Sequence, residues 1–296
     1  AVTGVQTCAL PISDKAHEGK TIMKKDAYGE AAVNFGEALM SQTDKQPIKA
    51  LQPLAVQAFF STRMGGVSQG PYSSMNLSVR TGDKPSDVRE NFKRLKDLAN
   101  NPPRWQFLSQ VHGNKIIVDD GVFNGLCGEA DGLVSHHKDV ALSTFHADCY
   151  PIFMFCAKSG VVGIAHAGWK GVRMEIAKEL VLSMVGLGAE KSAIQIVVGP
   201  GISTGAYEVS ESLAEDFIGY FGSDVVERRG VKPHLNLTLC ILKTLDNMKI
   251  ERSQIDVSGL CTKGEPELFF SHRREGETTG RMMAVISRWP DRKSVV

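Results

Sequence analysis

The sequence predicts one α+β domain. Three observations carry this prediction. From Leu54 onward, short runs rich in Val, Ile and Phe alternate with amphipathic stretches. No repeat, low-complexity tract or linker divides that region. The 296 residues, 42% of them hydrophobic, supply enough apolar side chain for a sizeable core.

Strands are expected at 56–61, 106–111, 115–118, 132–134, 141–145, 152–156, 161–166, 193–198, 256–260, 268–271 and 282–287, each bounded by Gly, Asp or Ser. Helices have stronger signatures. Asp87, with Glu90 three residues later, resembles a capping box, after which Val88, Phe92, Leu95 and Leu98 share a face. Val172, Ile176, Leu180 and Met184 recur every four residues, and Gly186 or Gly188 supplies a stop. Ser210 opens a third helix with Leu213, Phe217 and Phe221 inward. A fourth runs from about Asn236 to Met248 with Leu239, Leu242 and Leu245 inward. Glycine turns at 65–66, 168–171 and 199–201 lie beside strand ends, where sites tend to form.

The ends differ in texture from the rest. Residues 1–13 (AVTGVQTCALPIS) and 291–296 (DRKSVV) read as in-frame translations of sequencing-library adapters and are set aside. A secretory signal fails as the competing reading, because no Lys or Arg precedes the apolar stretch. Residues 14–48 are expected to be a loosely ordered lead-in to a domain at 49–290. The final segment carries two basic residues and one acidic, so the formal charge of +1 becomes a balance of 32 against 32. That neutrality argues against a nucleic-acid binder, and apolar runs such as 152–156 are far too short to span a membrane. Cysteines without a C-x-x-C pair suit a reducing compartment and give no disulfide framework, so the protein is expected to be cytoplasmic.

Three segments carry chemistry: QVHG at 110–113, HADC at 146–149 and HAGWKG at 166–171. Each follows a predicted strand and ends in a small-residue turn. His112, Cys149 and His166 together offer two imidazoles and a thiolate, a set that suits zinc and leaves a fourth position open. Taken singly, each is more often a structural residue than a ligand. Their wide spacing means that the fold, not a local loop, must assemble them.

The combination is more specific. STRMGGVS at 61–68, QVHG at 110–113, ADC at 147–149, HAGWKG at 166–171, VGPGI at 198–202 with YEV at 207–209, and FFSHRR at 269–274 with TGR at 279–281 stand in this order. The series resembles that of the YfiH family, also called laccase-domain or polyphenol-oxidase-like proteins, from about Val56 to Ile286. The resemblance implies a single-domain layered α/β/β/α sandwich and a catalytic zinc on His112, Cys149 and His166. It also implies purine nucleosides and phosphate as substrates: phosphorolysis of adenosine, inosine and methylthioadenosine, together with adenosine deamination. Zinc would polarise a substrate atom or activate water for attack on C6 of adenine. Asp148 is either a proton-transfer group or a turn cap. Arg63 and Arg273, then Lys170, are the expected phosphate-holding cations, whereas Arg274 and Arg281 are expected to pair with carboxylates. Trp169 either stacks on a base or packs in the core. Lys170 stands where many relatives have Arg, His272 where another aromatic is common, and Cys156 where Asp is expected; each leaves substrate preference open.

Three alternatives compete. Cu2+ would bind such N/S donors, but a copper polyphenol oxidase needs several ions held mostly by His, and no His-x-His pair is present. A cytidine-deaminase-type site lacks its His-x-Glu and Pro-Cys-x-x-Cys signature. A peptidoglycan-editing protein without nucleoside turnover belongs to a different class and is separable by assay.

Overall fold

Alternation of apolar side chains along the strands sets the layering. The computed structural model describes residues 22–26, 29–34 and 56–288. Both adapter-like ends and the remainder of the lead-in lie outside the described residues. The chain begins with β1 (Ile22–Asp26), β2 (Gly29–Asn34), β3 (Gln57–Ser61), α1 (Pro85–Leu98), β4 (Arg104–Ser109), β5 (Ile116–Val118) and β6 (Gly125–Glu129). It continues through β7 (Gly132–Ser135), β8 (Val140–His146), β9 (Tyr150–Cys156), β10 (Val161–Ala167), α2 (Trp169–Arg173), α3 (Ile176–Gly186) and β11 (Ile194–Val198). The last elements are α4 (Glu211–Phe221), β12 (Val226–Arg229), β13 (Lys232–Leu235), α5 (Leu237–Asn247), β14 (Ile255–Val257), α6 (His272–Glu275) and β15 (Met282–Ser287).

One sheet has the order β1-β2-β3-β15-β8-β4-β6, a second the order β14-β11-β9-β10-β7-β5, and β12 pairs with β13 alone. Ala58, Phe60, Leu142, Phe153, Phe155, Ile164 and Ala284 fill the space between the two large sheets. Neighbours one residue along point the other way, as the period of two requires. Phe59, Ala141, Met283 and Val285 turn outward under α1, where Leu95 and Ala99 cover them. Ile152, Met154 and Ala165 turn outward on the second sheet beneath Leu180 and Met184 of α3, in a cluster shared with α4 and α5. The layering is therefore α/β/β/α, as the resemblance implies.

Several elements differ from the sequence expectation. The run at 268–271 is buried but not a strand; Phe269 and Phe270 enter the core from a turn that leads into α6. A short apolar run does not by itself distinguish those cases. The single helix expected across Val172 to Met184 is two, because Glu175 takes a left-handed φ of 56° between α2 and α3. Helix α1 starts at Pro85 with no side-chain cap, so Asp87 lies in its first turn instead of preceding it. Ser210 and Asn236 do cap, accepting from the backbone N–H groups of Leu213 and Leu239. Within the lead-in, β1 and β2 form an antiparallel hairpin that continues the first sheet from β3, which satisfies an otherwise open edge.

Phe153, fully buried between the sheets, is expected to cost about 3–5 kcal/mol when replaced by Ala. Val231, 86% exposed, should change stability by less than about 0.5 kcal/mol on the same substitution. Urea unfolding of both variants checks the contrast, and equal losses would contradict the layering.

Candidate metal centre

Three connections cross from the first sheet to the second, alternating with returns: β4 to β5, β6 to β7 and β8 to β9. They carry His112, Asp131 and Cys149 respectively. Strands β4, β6 and β8 run parallel, so all three crossovers emerge at one end of the sandwich. His166 lies in β10, which pairs with both β7 and β9 beside the same end. This is how residues distant in sequence converge.

Asp131 holds the convergence together. Its carboxylate, fully buried, accepts the backbone N–H groups of Val111 at 3.2 Å, His112 at 3.0 Å and Gly113 at 2.7 Å. The same carboxylate lies 2.9 Å from His166 Nδ1. Burial opposes its ionisation, but His166 and these amides overcome that penalty and lower its pKa. The brace is therefore present above the ordinary carboxylate range and lost as pH falls below it. With Nδ1 facing Asp131, His166 leaves Nε2 as its free ligand atom.

One donor atom each from His112, Cys149 and His166 lies within 4.8 Å of the others. The nitrogen–nitrogen–sulfur set suits a borderline-soft metal ion, and three protein donors leave a position for another ligand. Glycine makes room beside it. A Cβ on Gly168 would stand 3.0 Å from both Cys149 Sγ and His112 Cδ2, and one on Gly171 would stand 2.8 Å from the carbonyl oxygen of Gly113. Burial pushes the Cys149 thiol up, but the His166 and His112 imidazoles outweigh that and draw its pKa down to about 6. The thiolate form, which ligates metals, is thus favoured at neutral pH.

The neighbours are fixed in turn. Fully buried His146 places Nδ1 2.9 Å from the Cys149 carbonyl and Nε2 2.7 Å from Thr144 Oγ1. Burial and then the charge of His166 push its pKa well below the usual histidine value, so it braces the Cys149 turn as a neutral ring. Asp148, at a left-handed φ of 95°, accepts from Thr262 Oγ1 at 2.7 Å and from the Arg273 backbone N–H at 2.6 Å.

A cavity of about 880 Å³ opens beside the donors. His112, Cys149 and His166 line it, as do Asp148, Trp169, Tyr207, His272 and Arg273. Its apolar flank comes from Phe92, Phe107, Phe145 and Leu126. Arg63 is not among the lining residues. Its guanidinium donates to Ser73 O at 2.9 Å and Pro266 O at 3.1 Å, and it pairs with Glu275 at 3.0 Å. Lys170 is exposed, with Nζ 5.5 Å from the Trp169 ring, and is not a lining residue either. Arg274 pairs with Glu275 at 2.8 Å, as expected. Arg281 does not pair with a carboxylate among the described residues; it lines the cavity instead.

The family model described as multi-copper polyphenol oxidoreductase laccase matches residues 57–289. Purine nucleoside phosphorylase YfiH of Escherichia coli is 35% identical over 79% of this chain and 95% of its own. The chain belongs to the YfiH family. Purine nucleoside phosphorylase YlmD of Bacillus subtilis is 36% identical over 78% of this YfiH-family chain and 88% of its own length. The crystal structure of Bacillus licheniformis hypothetical protein YfiH superposes with a TM-score of 0.77 at 29% identity, covering 89% of this chain and 98% of that one.

In this YfiH-family chain the structure brings His112, Cys149 and His166 together with Asp148 and Arg273, and separates Arg63 and Lys170 from the cavity lining. Sequence reading misses Asp131. The signal available for it is an acidic residue in the Ala130-Asp131-Gly132 turn directly before a predicted strand, which reads equally well as a turn former.

Asp131→Asn is expected to weaken metal binding by about 10–100-fold, measured by competition with a chromogenic chelator; unchanged affinity would remove Asp131 from its assigned role. In chelator-stripped protein, alkylation of Cys149 by iodoacetamide should rise as pH increases through about 6, and added zinc should protect it. A rise centred near the ordinary thiol value would contradict the thiolate assignment.

Proposed function

We propose that this chain is a zinc-dependent purine nucleoside phosphorylase acting on adenosine, inosine and methylthioadenosine, with adenosine deamination as a second reaction of the same site. The carrying observation is that the His112, Cys149 and His166 donors open onto a cavity whose charged lining is four arginines and one aspartate. Named phosphorylases among its relatives support the same reading.

Phosphorolysis breaks the C1′–N9 bond, joins C1′ to a phosphate oxygen and returns a proton to the departing purine. It requires cationic groups that hold phosphate and stabilise developing charge. Arg273 is suited to this. Its guanidinium donates to Glu208 O at 2.6 Å and lies 4.8 Å from the Tyr207 ring centroid, which fixes the fork at the cavity wall. Asp148 acts as a positioning residue, since both carboxylate oxygens already bind Thr262 and the Arg273 amide. It thereby joins the Cys149 turn to the segment bearing Arg273. Trp169, 37% exposed at the rim, and Tyr207 offer aromatic faces to a purine. Bound by His112, Cys149 and His166, zinc would supply Lewis-acid polarisation of a substrate heteroatom.

Cu2+ also favours this N/S donor set. A multicopper oxidase centre requires further His-rich sites, and among the described residues one cluster of His, Cys, Asp or Glu has metal-binding geometry. That favours the single-metal reading over polyphenol oxidation. The described cysteines are all free, and no helix of the described residues is long and apolar enough to cross a membrane. A cytoplasmic setting would keep Cys149 reduced.

Zinc-loaded protein incubated with inosine and phosphate is expected to release hypoxanthine and ribose 1-phosphate, and with adenosine also to form inosine. His112→Ala should reduce all of these to background. No phosphate-dependent turnover above that control would overturn the phosphorylase reading in favour of a non-catalytic role. Polyphenol oxidation proportional to bound copper would favour the oxidase instead.

A further inference from the structure

An arginine withdrawn from solvent needs an anion or a full set of acceptors to offset its lost hydration. Several buried or half-buried arginines among the described residues obey this rule. Arg104 lies 2.8 Å from both Asp119 and Asp139, Arg63 meets Glu275 at 3.0 Å, and Arg274 meets the same Glu275 at 2.8 Å. Arg281 is half-buried in the cavity wall, immediately before β15. Its Nη1 donates to the carbonyl oxygens of Thr279 and Gly280, both at 2.9 Å. Neither Nε nor Nη2 has a hydrogen-bond partner among the described residues, and burial works against its charge.

The surrounding chain holds Arg281 in place, and the charges of Cys149 and Asp148 offset its burial in part without pairing with it. Its backbone N–H donates to Asn76 Oδ1 at 2.9 Å, and its carbonyl accepts from Leu77 N at 3.1 Å. Asp148, the carboxylate in the cavity lining, has its oxygens taken by Thr262 and the Arg273 amide. The remaining charged lining residues, Arg80, Arg89 and Arg273, are all cationic.

We propose that Arg281, together with Arg273, forms the cavity's oxyanion subsite and that its ligand is free inorganic phosphate. Arg281 presents unused N–H donors to two oxygens of a tetrahedral anion, which suits the planar guanidinium fork. The assignment of phosphate as a co-substrate rests on the phosphorylase reading; the oxyanion site itself rests on the geometry of Arg281.

Isothermal titration of the zinc-loaded, full-length protein with inorganic phosphate tests the subsite without turnover. Arg281→Met is expected to weaken phosphate binding by roughly tenfold or more, and Arg281→Lys should recover part of that loss. In steady-state assays the KM for phosphate should rise in Arg281→Met while the KM for inosine stays within about twofold. Urea midpoints for both variants separate a binding loss from misfolding, and if Arg281→Met does not fold, Arg281→Lys carries the comparison. Unchanged phosphate affinity and KM in folded variants would overturn the proposal while leaving the phosphorylase reading intact. Phosphate binding that depends on Arg281 in a protein without nucleoside turnover would do the reverse. Loss of adenosine 5′-monophosphate binding with inorganic phosphate binding intact would overturn the assignment of free phosphate.

Discussion

The carboxylate of Asp131 is the constraint on which the site depends. A buried negative charge is tolerable only when its lone pairs are satisfied, and here the partners are three consecutive backbone amides and an imidazole. Satisfying Asp131 fixes the path of the chain around His112 and simultaneously selects the free nitrogen of His166. One residue therefore sets two of the three donor positions. The third, on Cys149, is set from the other side: His146 meets the Cys149 carbonyl, and Asp148 ties the same turn to Thr262 and the Arg273 amide.

Placement at one end of a sandwich explains why these residues are available. Inside either sheet the backbone groups are committed to ladders and the side chains to dry packing. At the crossovers, amides such as those of Val111, His112 and Gly113 are free to bind a carboxylate. Gly168 and Gly171 let the turn after β10 approach these loops more closely than any Cβ permits. The motif HAGWKG thus combines a donor residue with the two absences of side chain that its neighbours require.

Much of this was legible in the sequence, for reasons that differ by residue. The central strands read clearly because residues buried on both faces give continuous apolar runs, as in β9 and β10. His112, Cys149 and His166 stood out through residue type at strand ends and through the ordered motif series. Short strands such as β6, with its sequence GLCGE, lacked any such pattern. The every-fourth-residue period through Val172 and Ile176 concealed the break at Glu175, because a left-handed residue leaves no mark on apolar spacing. Arg63 attracted attention through its glycine turn, yet that turn serves close packing: a Cβ on Gly66 would fall inside the Ser74–Met75 backbone, 2.0 Å from the Ser74 carbonyl oxygen. Arg281 looked like a surface cation because sequence does not reveal which arginines lack a carboxylate.

The three sheet-to-sheet crossovers also bear on the order in which the molecule is built. Cys149 and His166 face each other across the local β9–β10 hairpin, whereas His112 arrives on the β4–β5 crossover, and its contact with them forms only after the intervening loops have closed. Hairpin formation alone cannot bring His112 to the other two donors, in contrast to a zinc finger whose ligands share a local loop. The donor set is therefore a product of completed folding, and an ion captured there would act late, tightening the seam between two sheets that have already found each other.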